Sequence, residues 1–162
     1  MSDLAARVQA LVALFRHVER TRMAGVPVLH AALQVEAVGF EPVPVEPPEP
    51  PEPPAALGVL LTPWFMNLVW LPLQPDARTD RVGQARLRAV GNTRFQFIGA
   101  CETGLGAYEA CSLASPMFEF ADQAQARATA RAVLDALRPP APVVSKGRRG
   151  FLLGRSAVEA RP

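Results

Sequence analysis

Cysteine and histidine are scarce in this chain of 162 residues, with two of each. Cys101 and Cys111 are too few for the disulfide framework of a small secreted domain. Neither His17 nor His30 has a Cys, Asp or Glu at metal-ligand spacing, so no metal and no cofactor are expected. There is no Gly-x-Gly-x-x-Gly, no phosphate loop and no Gly-x-Ser-x-Gly, which removes the commonest nucleotide and hydrolase signatures. Excess charge is missing too. The net charge of +2 argues against nucleic acid as a partner. Asp3, Arg7 and Arg16 interrupt any apolar stretch near the N-terminus, so no secretory signal is expected and the cytoplasm is the default compartment. No sequence period suggests repeats.

What the chain does have is one long uncharged run, Ala55–Leu73. Its length falls within the ~17–25 residues that cross a bilayer. Pro63, Asn67 and Pro72 interrupt it, and proline inside a helix costs ~3 kcal/mol, so membrane insertion is rejected. The pieces on either side of Thr62-Pro63 have strand length and are rich in Leu, Val, Phe and Trp. They predict two strands, Leu57–Leu61 and Phe65–Leu71, joined by a bend at Thr62-Pro63-Trp64. Being apolar on both faces, they belong at the centre of a sheet. Trp64, Phe65, Met66 and Trp70 are many large groups for so small a domain, which points to an apolar surface that meets a partner.

Around this run the pattern is α+β. Leu4, Val8, Leu11, Val12, Phe15 and Val18 form the apolar stripe of a first helix, with Arg7, Arg16, Glu19 and Arg20 off it. Ser2 or Asp3 caps that helix, and Gly25 with Pro27 ends it near Ala24. Leu33–Val38 reads as a first strand. Glu41–Pro54 is a low-complexity insertion in which eight of fourteen residues are proline. It is unable to join a sheet interior and is expected as a polyproline II spacer or as disorder. Asp76–Arg88 is a basic loop leading to a strand near Arg86–Val90. Gly91-Asn92 is a turn dipeptide, and Thr93–Cys101 and Tyr108–Leu113 are further strands. Asp122 caps a last helix to Leu137, with Ala126, Ala130, Val133, Leu134 and Leu137 as its buried face. The expected architecture is an antiparallel sheet of about five strands with both helices packed on it, most simply on one face. Residues 1–140 form one domain, and 141–162 form a flexible basic tail.

Two classes of function fit these features. A binding protein would use Trp64, Phe65, Met66 and Asn67 together with Met117, Phe118, Glu119 and Phe120. A redox or metal-transfer protein would work through Cys101 and Cys111, for which a Cys–His pairing is formally available. The tail adds Arg148, Arg149, Phe151 and Leu152, in the order of a twin-arginine export motif. Only ten residues follow Leu152, including Arg155, Glu159 and Arg161, so it is unable to act as such a signal itself.

Four segments resemble a known family: Leu57–Pro72, Phe95–Ala100, Tyr108–Asp122 and the Gly147–Arg155 tail. The Thr-Pro-Trp block and the Cys-Ser-Leu-Ala-Ser-Pro block are the most specific. Together they are similar to the HybE/HupJ-type nickel–iron hydrogenase assembly chaperones. The resemblance implies a non-enzymatic cytoplasmic protein that binds hydrogenase large or small subunits before export. For the small subunit, it implies binding of the twin-arginine signal peptide. Some members of that family are fused or paired with a rubredoxin, whose paired Cys-x-x-Cys motifs this chain lacks. The resemblance assigns no catalytic residue.

Overall fold

The computed structural model describes residues 3–44 and 52–138. Part of the proline-rich insertion and the whole 141–162 tail therefore lie outside the described residues, with Arg148, Arg149, Phe151 and Leu152. The elements run α1 (Asp3–Arg20), β1 (Glu36–Pro42), β2 (Ala55–Leu61), β3 (Met66–Pro72), β4 (Ala85–Val90), β5 (Thr93–Glu102), β6 (Gly106–Ala114) and α2 (Gln123–Leu137). The strands form one sheet in the order β1-β2-β3-β6-β5-β4, with every neighbouring pair antiparallel. The α+β class holds, with six strands rather than about five.

The uncharged run supplies two adjacent strands inside the sheet. All seven residues of β2 are buried. Its side chains alternate between two cores, as a strand's must. Leu57, Val59 and Leu61 join Met66 and Leu68 of β3 in packing against Ala126, Ala130 and Leu134 of α2. Leu60, with Val69 and Leu71 of β3, packs against Leu11, Phe15 and Val18 of α1. The helices therefore lie on opposite faces of the sheet, not on one. The two-sided apolar pattern of β2 already required cover on both faces, and one helix supplies each. Burying a side chain of this size stabilises the fold by ~1.5–3 kcal/mol.

Three local expectations are corrected. The first strand starts at Glu36, not Leu33, and runs on to Pro42. A proline is tolerated there because β1 is an edge strand. Gly39, at φ 64°, lies where the β1–β2 register shifts between Val38 and Glu41, a bulge that favours glycine. Helix α1 stops at Arg20, and turns carry the chain to Gly25. Arg7 is also not on a solvated side. It is buried, and its Nε donates to the Pro72 carbonyl at 2.8 Å.

The C-terminal half matches its pattern closely. Asp122 caps α2 by accepting from the Gln125 backbone N–H. Gly91, at φ 63°, occupies the β4–β5 turn and lies against the Leu137 carbonyl. Alternation on β5 buries Phe97 and exposes Arg94 and Gln96. Leu87 of β4 and Ile98 of β5 remain exposed, as the sheet extends past the helical cover.

Candidate functional site

The β2–β3 connection is a tight turn built by Thr62. Its backbone N–H donates to the Phe65 carbonyl at 2.9 Å. Its hydroxyl oxygen accepts from the N–H groups of Trp64 (3.1 Å) and Phe65 (2.9 Å). Pro63 at the second position presets φ, and the threonine oxygen satisfies the turn's donors. The turn leaves Trp64 and Phe65 half-buried, stacked on the end of α1. Phe65 meets Phe15 edge-on at 5.6 Å between ring centroids, and Trp64 lies 6.4 Å from Phe15.

The β6–α2 loop comes alongside. The Ser115 hydroxyl donates to the Trp64 carbonyl at 3.3 Å, and the Ser115-Pro116 peptide bond is cis. The next four residues make a single turn, closed by Phe120 N–H to the Met117 carbonyl at 3.1 Å. Met117 and Phe120, three apart, point into the core, while Phe118 and Glu119 point out. Phe118 is 58% exposed.

His30 ties both loops to the α1–β1 connection. Its backbone N–H donates to the Pro63 carbonyl at 2.9 Å. Its Nδ1 accepts from Ala32 N–H at 3.1 Å, so Nε2 carries the proton and donates to the Phe120 carbonyl at 2.7 Å. Its ring lies 6.1 Å from that of Phe118.

The two internal clusters singled out in the sequence are therefore neighbours at one end of the sheet. Trp64, Phe65, Phe118 and Glu119 form the accessible rim. Met66, Met117 and Phe120 do not belong to that surface: all three are buried in the core that α2 covers. The sequence reading left them outside because it did not count the cover that α2 and the β6–α2 loop provide. Asn67 is partly buried, with its Oδ1 enclosed and without a hydrogen-bond partner. His30 went unrecognised as a positioning residue. No local signal marks it, since its partner carbonyl is 90 residues away.

The cysteines do not meet. Cys101 pairs with Ala107 in the β5–β6 ladder and Cys111 with Leu68 in the β3–β6 ladder. Four residues of register separate Cys111 from the position opposite Cys101, ~13 Å along the strand, against the ~7 Å that a disulfide spans. Burial pushes the Cys111 thiol up, away from the reactive thiolate. Among the described residues, no group of three or more His, Cys, Asp or Glu side chains is arranged to hold a metal. No helix among them is long and apolar enough to cross a membrane.

The fold is an α+β antiparallel sheet covered by one helix on each face, with an aromatic rim at one end. The family described as NiFe-hydrogenase assembly, chaperone, HybE matches residues 6–154, and the chain belongs to that family. It is 46% identical over 166 residues to Protein HoxT of Cupriavidus necator, covering 94% of this chain and 91% of the relative. It is 37% identical over 142 residues to the hydrogenase expression/formation protein HupJ of Bradyrhizobium diazoefficiens, covering 86% and 76%. A protein named probable rubredoxin HupJ, of Rhodobacter capsulatus, is 37% identical over 137 residues, which are 80% of this chain and 44% of that relative. No solved structure matches.

Proposed function

We propose that this protein binds immature nickel–iron hydrogenase subunits in the cytoplasm and holds them until assembly is complete, acting by contact and without catalysis. Its clients include the small subunit with its twin-arginine signal peptide. The observation that carries this reading is Phe118: a large apolar ring, 58% exposed, on a loop whose backbone is fixed by His30 and Ser115, next to half-buried Trp64 and Phe65. Exposed aromatic anchors on a rigid backing are what a protein-binding surface needs, because little entropy is lost when they dock. Glu119 beside them offers a carboxylate for client arginines.

Arg148, Arg149, Phe151 and Leu152 belong to the same proposal. They carry the order of groups found in a twin-arginine signal, so they either compete for the signal groove or touch the client. A tethered competitor acts at an effective concentration of order mM.

The test is a pull-down from hydrogenase-expressing cells, followed by titration with the signal peptide and with the large subunit. Phe118→Ala is expected to weaken capture. Removing residues 147–162 tightens signal-peptide binding if the tail competes, and weakens client binding if it is an arm. Replacing both Cys101 and Cys111 by Ser leaves binding intact. Binding kept but activity abolished there revives the redox reading. Failure of Phe118→Ala to alter capture removes the rim from the proposal.

A further inference from the structure

On the α2 side of the sheet, away from the aromatic rim, two arginines form a fork. Arg86 and Arg88 alternate on β4 and lie opposite Phe97 and Phe95 on β5, so both project from the same face. Arg88 places its guanidinium carbon over the Trp70 ring, 3.8 Å from the centroid. It also holds Glu109 with two bonds, Nε to Oε1 at 2.7 Å and Nη2 to Oε2 at 2.8 Å. Arg86 reaches Glu109 more loosely, Nη1 to Oε2 at 3.3 Å. Stacking and a bidentate carboxylate fix the guanidinium plane before any further ligand arrives.

Two arginines against one buried glutamate leave one positive charge over, and the chain fills it itself. Glu52 places Oε1 3.1 Å from Arg88 Nη1 and Oε2 2.9 Å from Arg86 Nη2, one oxygen to each arginine. The occupant differs in kind from the site. Arg88 and Glu109 side chains are each 10% exposed, whereas Glu52 is 40% exposed. Glu52 precedes β2, outside the sheet ladder, and is followed by Pro53 and Pro54, which have no N–H to donate. Among the described residues, the backbone tie here is the Pro54 carbonyl, which accepts from the Leu73 N–H at 2.9 Å. Removing Glu52 from the fork therefore breaks no strand pairing. Beside the fork opens a cleft of about 50 Å³, lined by Trp70, Pro53, Arg88 and Glu109 together with the 76–82 loop. In the sequence the unit Glu-Pro-Pro occurs three times in succession, beginning at Glu46, Glu49 and Glu52.

We infer that the Arg86–Arg88 fork over Trp70 is a docking site for an extended, proline-spaced glutamate segment of a partner protein, and that Glu52 is its built-in competitor. The recognition chemistry is a carboxylate divided between two guanidinium groups, with a proline in the cleft that Trp70 also lines. Glu52-Pro53 is the template for the ligand. A partner segment gains access by displacing Glu52, so the free chain holds the site closed and lowers its apparent affinity.

The probe is a fluorescein-labelled peptide, Val-Glu-Pro-Pro-Glu-Pro-Pro, titrated by anisotropy at low salt into the full-length protein and its Glu52→Gln variant. The variant is expected to bind at least about tenfold more tightly, because a tethered occupant at an effective concentration of order mM has been removed. The same peptide with Gln for Glu does not bind. Adding Arg86→Gln to Glu52→Gln abolishes binding, and added salt weakens it. Equal affinity for wild type and Glu52→Gln, or no binding to a variant whose circular dichroism is native, overturns the proposal and leaves Glu52 as a structural latch. Should Glu52→Gln not fold, the Trp70 indole N–H resonance of the wild-type protein is followed during peptide titration. A saturable shift supports displacement, and no shift overturns it. Neither result depends on the aromatic rim, so the two proposals fail separately.

Discussion

The His30 and Phe118 rings lie tilted to one another, 32° between planes and 6.1 Å between centroids, and the same histidine donates to the Phe120 carbonyl two residues further on. One side chain thus sets both the position of the exposed ring and the path of the loop that carries it. His30→Ala removes the bond to the Phe120 carbonyl and the acceptor for Ala32 N–H. The expected loss is ~1–3 kcal/mol in denaturant unfolding, with weaker client capture. An unchanged unfolding midpoint contradicts this account of the loop.

Phe118 and Met117 are adjacent but answer to different energetics. Phe118→Ala deletes a largely exposed ring and is expected to change stability by no more than ~0.5 kcal/mol. Client affinity falls by ~1–2 kcal/mol or more if Phe118 is an anchor. Met117→Ala empties a fully buried position and costs ~2–5 kcal/mol. Parallel denaturant titrations and binding assays of the two variants separate the roles.

Glu109 is enclosed at 8% exposure, and Arg88 neutralises it. Burial works against the charged Arg88, but the hydrogen bond and charge of Glu109, aided by Glu52, outweigh it and raise the arginine's pKa. Arg88→Ala leaves Glu109 without its bidentate partner and is expected to destabilise by ~3–5 kcal/mol. Arg88→Met with Glu109→Gln recovers most of that loss, since neither partner is then left as a lone charge. If the single and double variants unfold at the same denaturant concentration, the pair is not coupled.

Glu36 at the start of β1 reaches across to α2. The hydrogen bond from Arg127, at 2.7 Å, outweighs the opposing effect of burial and holds its carboxyl below the usual range. A carboxylate with a lowered folded pKa stabilises the protein above its unfolded pKa, ~4.3, and that contribution is lost as pH falls through the folded value. Wild type is therefore expected to be more stable than Glu36→Gln at pH 7, with the difference closing below about pH 4. A difference independent of pH assigns the effect to something other than the Glu36 charge.

Much of this protein was legible residue by residue. Thr62-Pro63 specifies a turn through its own hydroxyl and ring. Asp122 caps α2 through a carboxylate three residues from its donor. The alternation of Phe95, Gln96 and Phe97 assigns the faces of β5. These are short-range effects, written within a few positions of where they act. The edges of β1 were not legible in this way: Leu33 to Val35 have strand-forming side chains, yet Gln34 bonds to the Gln123 side chain instead of a ladder.

Local pattern by itself determined the element types, the turn and cap chemistry, and the presence of a doubly apolar pair of strands. Tertiary structure alone decided which helix covers which face, and it decided that Met66, Met117 and Phe120 are core while Phe118 is surface. It also decided that Arg7, Arg86 and Arg88 are held within the protein rather than solvated. The reason is distance along the chain. Periodicity reports that a face is apolar or that a side chain is charged, but what it meets is set by segments tens of residues away. The Arg88 that sequence placed in a basic loop finds its stacking partner on β3, one carboxylate on β6 and another beside the proline run.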